Sequence, residues 1–418
     1  MIGRIKKLIR NDYLIVYFFD IIAKCFSAII SILIIRALTV EDYAEYTMFF
    51  SVSSLLSGVL GNGMGLAYTT YAVGMRETQE DADGYLFKEL SNKLFVLYPI
   101  VSLLCYFIIG NFVKGTKITI LFGVIYGMLL AMNQINTVFF QARKRYFVAG
   151  LIANIRSVIL SVLLFVVINI SRENSIKEIY LLYIFTICIA LIISYARIYK
   201  IIKRNSSTNV RGMLFDMLRD SFWTIMYMLV VSAFSQLDVF MIEYYRTAEE
   251  VAFYGVAYKY YALVISVLPA IQVVLRVNCS NKDMLDCKVR KGKILDWIKK
   301  SWIIGGILLA CGTVGAHVCF PIVNGEGYNE SIYTFDILLV GAVLSYLTAP
   351  CVSIMVATKK QKVLFVLAVI ALMFNFIGNN IFIPRSGIMA AAVVTVLSFF
   401  ILNGGSALYL LLERSEHE

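Results

Sequence analysis

The sequence predicts an all-α polytopic membrane protein, with twelve transmembrane helices in two six-helix lobes. Three observations carry that prediction. The 418 residues are 60% hydrophobic and only 16% charged, with a mean hydropathy of +0.79, whereas soluble domains hold about 45–50% apolar and about 25% charged residues. The apolar residues come in long continuous runs, which suits helices of roughly 20 residues and not the alternating strands of a membrane barrel. Short sequence patterns also recur half a chain apart. A dozen spans consume about 240 residues, so no large soluble domain fits, and five prolines with no low-complexity tract leave no disordered linker.

In chain order, the first apolar segment is 12–37. The basic stretch MIGRIKKLIR ahead of it looks like the start of a signal peptide. The apolar run that follows is too long and lacks a small-residue cleavage site, so it is expected to stay as a span. Segment 2, at 43–70, places Ser57, Gly61 and Gly65 four residues apart, which makes a close-packing face. Gly61, Gly63 and Gly65 also spell GxGxG, but no strand precedes them, and a nucleotide loop is excluded. Segments 3 to 6 follow at 90–110, 118–140, 147–170 and 178–196. Segments 7 to 12 lie at 217–243, 251–276, 297–321, 332–357, 362–383 and 387–412. Pro99, Pro269 and Pro350 fall inside spans or near their edges, where proline kinks a helix. The 26 tyrosines are read mostly as an interfacial belt at span ends.

The net charge of +11 sits between the apolar runs and forms no interleaved patch, which argues against nucleic acid as a partner. With the amino terminus inside, 28 of the 38 Lys and Arg fall on inner pieces and seven in outer loops. That positive-inside bias puts both termini in the cytoplasm. The two longest connections, around 197–216 and 277–296, are then cytoplasmic, and the short outer loops leave no room for a polymerase or transferase site. Eight cysteines show no CxxC spacing, and two histidines, His317 and His417, cannot build a zinc cluster or a nucleophilic constellation. No metal, no cofactor and no enzymatic activity are expected. His317 and Asp336 read as two unrelated polar residues.

The chain echoes itself. TVEDYAEYTM from Thr39 matches TAEEVAFYGV from Thr247, 208 residues on, through Thr39/Thr247, Glu41/Glu249, Ala44/Ala252 and Tyr46/Tyr254. ARKRYFV after segment 4 matches ATKKQKV after segment 10, at an offset of 215. An even number of spans separates each pair, so the halves share one orientation. The predicted organisation is an N-lobe at 1–196, a cytoplasmic linker at 197–216 and a C-lobe at 217–418.

Five patches stand in order along essentially the whole chain: RALTVEDYAEYTMF, FQARKRYFVAGLIANIRSVI, QLDVFMIEYYRTAEEVAFYGVAYKY, VNGEGYNESIYTFDILL with VATKKQKVL, and IFIPRSGIMAAAV. In these residues the chain resembles the polysaccharide transporter, or Wzx-type, flippases of the multidrug/oligosaccharidyl-lipid/polysaccharide (MOP) exporter superfamily. EDYAEY departs from the family in lacking its usual glycine beside the tyrosine. The resemblance implies a MOP flippase or MATE-like fold. It also implies movement of undecaprenyl-diphosphate-linked oligosaccharide units, as for O-antigen or capsule, from the inner to the outer leaflet of the bacterial cytoplasmic membrane. A polysaccharide polymerase and chain-length machinery would be partners. The rival reading, a multidrug or cation antiporter of the same superfamily, requires a cavity dominated by acids.

Independently of family, an ionisable group near the bilayer centre costs at least about 2.5–3.5 kcal/mol, and Asp20, Lys24, Arg156, Asp238 and Lys259 lie in spans. Asp20 and Lys24 stand four apart on one helical face, where they either pair locally or open to a cavity. Asp238 and Lys259 lie at similar depth on consecutive helices and can pair. Arg156 has no acid on its own segment, and its planar fork suits phosphate. The expected diphosphate contacts are therefore Arg156, Lys24 and Lys259. With no GxxxxGK[ST] nucleotide motif, Asp20 and Asp238 are the candidates for a coupling proton or sodium ion. Asn133, Asn136, Asn154, Gln236 and Gln272, together with Gln134 and Asn375, supply uncharged groups that either meet sugar hydroxyls or glue helices together.

Overall fold

Apolar runs of this length satisfy their backbone in lipid only as helices. In the computed structural model, which describes residues 12–76, 82–113, 116–170, 175–202, 212–266 and 287–413, every regular element is helical. The first seven helices are α1 (Asp12–Ala37), α2 (Val40–Ser57), α3 (Gly63–Arg76), α4 (Ala82–Phe112), α5 (Lys117–Ala142), α6 (Tyr146–Ile170) and α7 (Ile176–Ile202), with a π-helical turn, Gly58–Asn62, joining α2 to α3. Then come the short α8 (Met213–Asp220), α9 (Phe222–Tyr245), α10 (Ala248–Ile265), α11 (Cys287–Asn324), α12 (Glu330–Leu347) and α13 (Ala349–Ala357). The chain ends in α14 (Gln361–Phe399), a second π-helical turn (Phe400–Gly404) and α15 (Gly405–Leu412).

Ten of the described helical stretches are long and apolar enough to cross a bilayer, so the protein is multi-pass. Two stretches separate that count from twelve. Gln361–Leu412 is one apolar helical run of 52 residues, but Gly387 within it has φ 59 and ψ −145, and Asn375 hydrogen-bonds Thr395 at 3.2 Å. In a continuous helix residues that far apart in sequence stand about 30 Å apart, so this run is a hairpin turned at Gly387. The other stretch is α10, whose 18 described residues carry Glu249, Glu250 and Lys259. The rest of predicted segment 8, with Pro269 and Gln272, lies outside the described residues. Segment 10 is broken in two, since α12 ends at Leu347 and α13 restarts with Pro350 in its first turn, where a missing N–H is tolerated.

Packing divides the chain into two units, Met1–Gln236 and Leu237–Glu418, with the division falling inside α9. In the first unit small residues let helices approach closely. A side chain at Gly127 would meet the Ser53 carbonyl oxygen at 2.8 Å, and one at Gly123 would meet Val52 at 3.0 Å, which brings α5 against α2. Gly61 and Gly65 face Gln134 and Val138 on α5, while Gly58 and Gly63 face Ser232 and Ile225 on α9. The predicted close-packing face is therefore real at Gly61 and Gly65. Around it lies an aromatic core in which Phe49 stacks on Tyr180 at 4.5 Å and on Tyr126 at 5.4 Å. At one end Arg143 forks onto Asp83, Nε to Oδ2 and Nη2 to Oδ1, both at 2.8 Å. Both residues are buried.

In the second unit α11 packs on α12 through Gly305 and Gly312, which face Val343 and Leu339. Glu413 ties the end of α15 to Arg290 at 2.6 Å and also to Lys360. The sequence echoes share local structure. Thr39 and Thr247 both cap a helix, accepting from the backbone N–H of Asp42 and of Glu250, as threonine does at an N-cap. Lys144 and Lys359, equivalent in the second echo, both take a positive φ, 55 and 58. Both turns close the same way, with Arg145 N–H donating to the Phe140 carbonyl at 2.9 Å and Lys360 N–H to the Met355 carbonyl at 2.8 Å.

Candidate functional site

The first unit holds a cavity of about 420 Å³ bordered by the π-helical turn, α3, α5 and α6. Its polar lining is Asn62, Asn133, Gln134 and Gln141, the hydroxyls of Thr69 and Thr137, and Arg156; among the lining residues Arg156 is the one charge. Gly61 makes room for this wall, because a side chain there would overlap Gln134 Oε1. Asn133 Oδ1, Gln134 Oε1 and Arg156 Nε are buried and find no partner among the described residues. Each such atom costs about 1–3 kcal/mol. A wall of this kind gains from a polar guest that lets the side chains turn and bond.

Arg156 is held from behind. Its Nη1 donates to the Tyr126 hydroxyl, and the guanidinium carbon stands 5.8 Å from the centre of that ring. Tyr126 is itself fixed, fully buried and edge-on to Tyr183 at 5.2 Å. A neutral partner orients the guanidinium without cancelling its charge, which leaves the cation available to an anion in the cavity.

The second unit centres on Asp238 of α9, 3% exposed. The sequence allowed an ion pair with Lys259. Instead, the carboxylate accepts from three neutral donors: the Tyr254 hydroxyl at 2.6 Å, Asn379 Nδ2 at 2.7 Å and the Thr395 hydroxyl. Asn379 Nδ2 also reaches Asn375 Oδ1 at 3.0 Å, and Asn379 Oδ1 is buried with no partner among the described residues. The physical reason is the Gly387 hairpin, which carries Asn375, Asn379 and Thr395 to one side of α9. Neutral donors hold the carboxyl group in place without a positive charge beside it, so the cluster combines a buried acid with a spare acceptor oxygen.

Other predicted residues behave differently. Asp20 and Lys24 pair with each other at 2.6 Å, so the local ion pair holds, and neither lines the cavity. Asn136 Nδ2 donates to the Ser194 hydroxyl at 2.8 Å, bonding α5 to α7. Asn154 Nδ2 bonds the Gly150 carbonyl on its own helix, and Gln236 Nε2 bonds the Ser235 hydroxyl. Lys259 is half-buried on α10. His317 and Asp336 are not unrelated. The short turn between α11 and α12 brings His317 Nε2 within 3.5 Å of Asp336 Oδ2. Tyr126, Asn62, Thr69, Thr137 and Gln141 in the first unit, and Asn379 and Thr395 in the second, escaped the sequence reading, which took Tyr254 only as the echo of Tyr46. The i, i+4 spacing of Asn375 and Asn379 was the one signal available for them.

Among the described residues no three His, Cys, Asp or Glu gather as metal ligands. A many-spanned helical chain with polar clusters buried inside its packed units is a multi-pass membrane protein. The chain belongs to the polysaccharide biosynthesis protein family, whose profile matches residues 10–275. No curated protein matches it. Among solved structures it is similar to the lipid II flippase MurJ in an inward closed conformation, with a TM-score of 0.69 and 16% identity over 96% of this chain and 86% of that one. An inward-facing multidrug resistance MATE family transporter of the MOP superfamily gives a TM-score of 0.65 at 12% identity, over 96% and 97% of the two chains. A MATE protein in complex with MaL6 gives 0.60 at 12% identity, over 97% of each. The fold is thus the MOP fold, as the resemblance implied.

Proposed function

We propose that this protein is a flippase that moves undecaprenyl-diphosphate-linked oligosaccharide units from the inner to the outer leaflet of a bacterial cytoplasmic membrane. In this reading twelve spans form two lobes, 1–196 and 217–418, joined by a cytoplasmic linker, with both termini inside. The carrying observation is the cavity wall of the first unit, which has one guanidinium, four carboxamides and no acid. A diphosphate entering low dielectric needs fixed donors and positive charge in place of its water, and sugar hydroxyls need the mixed donors and acceptors that amides supply. Arg156 would take the diphosphate and Asn133 and Gln134 its neighbourhood, while the polyprenyl chain stays in lipid.

Drive would come from a cation at Asp238. A buried carboxylate with neutral donors and a spare amide oxygen suits a sodium ion, which takes oxygen ligands, or a proton. The multidrug antiporter reading draws on the same acid, but a lone carboxylate closely held by Tyr254, Asn379 and Thr395 suits a small ion and not a bulky organic cation. Removal of the gene is expected to make the lipid-linked oligosaccharide accumulate on the cytoplasmic leaflet. A normal leaflet distribution of that lipid in the deletion strain would overturn the reading.

A further inference from the structure

The elements that surround Asp238 meet again at their ends. Eight residues along from Asp238, about 12 Å at the helical rise, Arg246 follows the last turn of α9 and bonds Glu250 of α10, Nε to Oε1 at 2.8 Å and Nη2 to Oε1 at 2.7 Å. Glu250 lies one turn before Tyr254, which donates to Asp238. Arg246 Nη1 also reaches the Pro384 carbonyl at 3.5 Å, five residues beyond Asn379. At the hairpin tip a side chain on Gly387 would stand 2.6 Å from Glu250 Oε2 and 3.3 Å from Arg246 Nη2. Beside them the Tyr245 hydroxyl bonds Asn380. Every element that supplies a donor to Asp238 therefore ends on this one ion pair or against the tip it braces. The pair is partly exposed, with 32% of the Arg246 side chain and 17% of the Glu250 side chain open.

From this juxtaposition we infer that Arg246 and Glu250 form the outer gate of the Asp238 site, with Arg246 the bolt and Glu250 the first ligand of an arriving cation. The inference rests on the reading of Asp238 as the coupling-ion site. A positive charge across the route repels a small cation, and a carboxylate beside it attracts one. While the two are joined, Glu250 spends its charge on Arg246 and the route is closed. When a cation displaces the guanidinium, the carboxylate passes the ion one turn inward toward Tyr254 and Asp238. Gly387 contributes by having no side chain, which lets the hairpin tip close onto the pair, and its positive φ is one that glycine adopts without strain.

The two members of the pair should therefore act in opposite directions. In proteoliposomes of the full-length protein, the test follows the rate at which tryptophan fluorescence responds to a sodium step at fixed pH, and separately to an acid step without sodium. R246Q should speed the response to the active ion by about threefold to tenfold, E250Q should slow it by a similar factor, and the extent at saturation should stay that of the wild type. A merely structural ion pair would move both variants the same way, as loss of stability. D238N separates the two levels of the argument. If it keeps the response, or if the wild type answers neither ion, the coupling site is elsewhere and the gate falls with it. If D238N is silent while R246Q and E250Q shift the rate together, or not at all, the gate alone is overturned.

Discussion

Replacing Arg156 by alanine removes the one charge lining the cavity of the first unit. The residue is half-buried, and its tie is to a neutral tyrosine, so no acid partner in that bond is stranded by the change and the protein should accumulate and insert normally. In the proposed function what is lost is the contact with the diphosphate. A hydrogen bond to a charged group is worth about 1.5–3 kcal/mol, so losing one lowers transport at limiting substrate by about 10- to 150-fold. Arg156→Lys keeps the charge without the fork and should recover part of this. Tyr126→Phe keeps the ring and removes the hydroxyl that aims the guanidinium, a loss of about 0.5–1.5 kcal/mol for an ordinary hydrogen bond. It should be the mildest of the three. Surface polysaccharide measured against protein level in membranes reads the series. Normal export by Arg156→Ala at wild-type protein level would refute the argument and turn attention to Lys259.

Three further outcomes can be checked. Asp83→Ala leaves the buried Arg143 guanidinium without its forked carboxylate, a loss of about 3–5 kcal/mol, so the purified protein should melt at a clearly lower temperature; an unchanged melting point would show that the pair is dispensable. Gly61→Ala should reduce export by pushing the Gln134 carboxamide out of the cavity wall; normal export by this variant at wild-type protein level would show that the glycine does not serve the cavity. Cysteines placed in 324–330 should be labelled from outside intact cells and cysteines in 197–216 should not. Labelling of both from one side would end the proposed topology.

Helix positions were legible because in lipid the pattern of apolar runs is the structure. The echoes were legible because a cap and a left-handed turn each depend on a few adjacent residues. The composition of the sites was less legible. Asp238 could be singled out as a costly charge, but its partners Thr395 and Asn379 become neighbours only through the turn at Gly387, which joins residues that a continuous apolar run separates. Tyrosines misled the reading in a different way. An interfacial belt describes exposed rings, yet Tyr43, Tyr46, Tyr68, Tyr98, Tyr126, Tyr180 and Tyr254 are among the largest fully buried side chains. Sequence position cannot tell a ring at the headgroups from one that orients a half-buried arginine, because both sit on otherwise apolar helices.

The repeat makes the placement of charge informative. At the offset of 215 set by the lysine turns, Arg156 and Tyr126 correspond to Ala371 and Gly341, and Asn375 and Asn379 to Leu160 and Leu164. At the offset of 208 set by the threonine caps, Asp238 corresponds to Ile30 and Tyr254 to Tyr46. Ala371, Leu160, Leu164 and Ile30 are buried, so at these four positions one unit places apolar atoms where the other carries Arg156, Asn375, Asn379 or Asp238. The shared tyrosine shows the divergence directly: Tyr254 donates to Asp238, while Tyr46 shares a hydrogen bond with the Tyr183 hydroxyl at 2.7 Å. Opposite charges close together on one helix face neutralise each other, as Asp20 and Lys24 do. In the proposed function, a cation for the diphosphate and a carboxylate for the coupling ion both stay usable because each unit carries one of them.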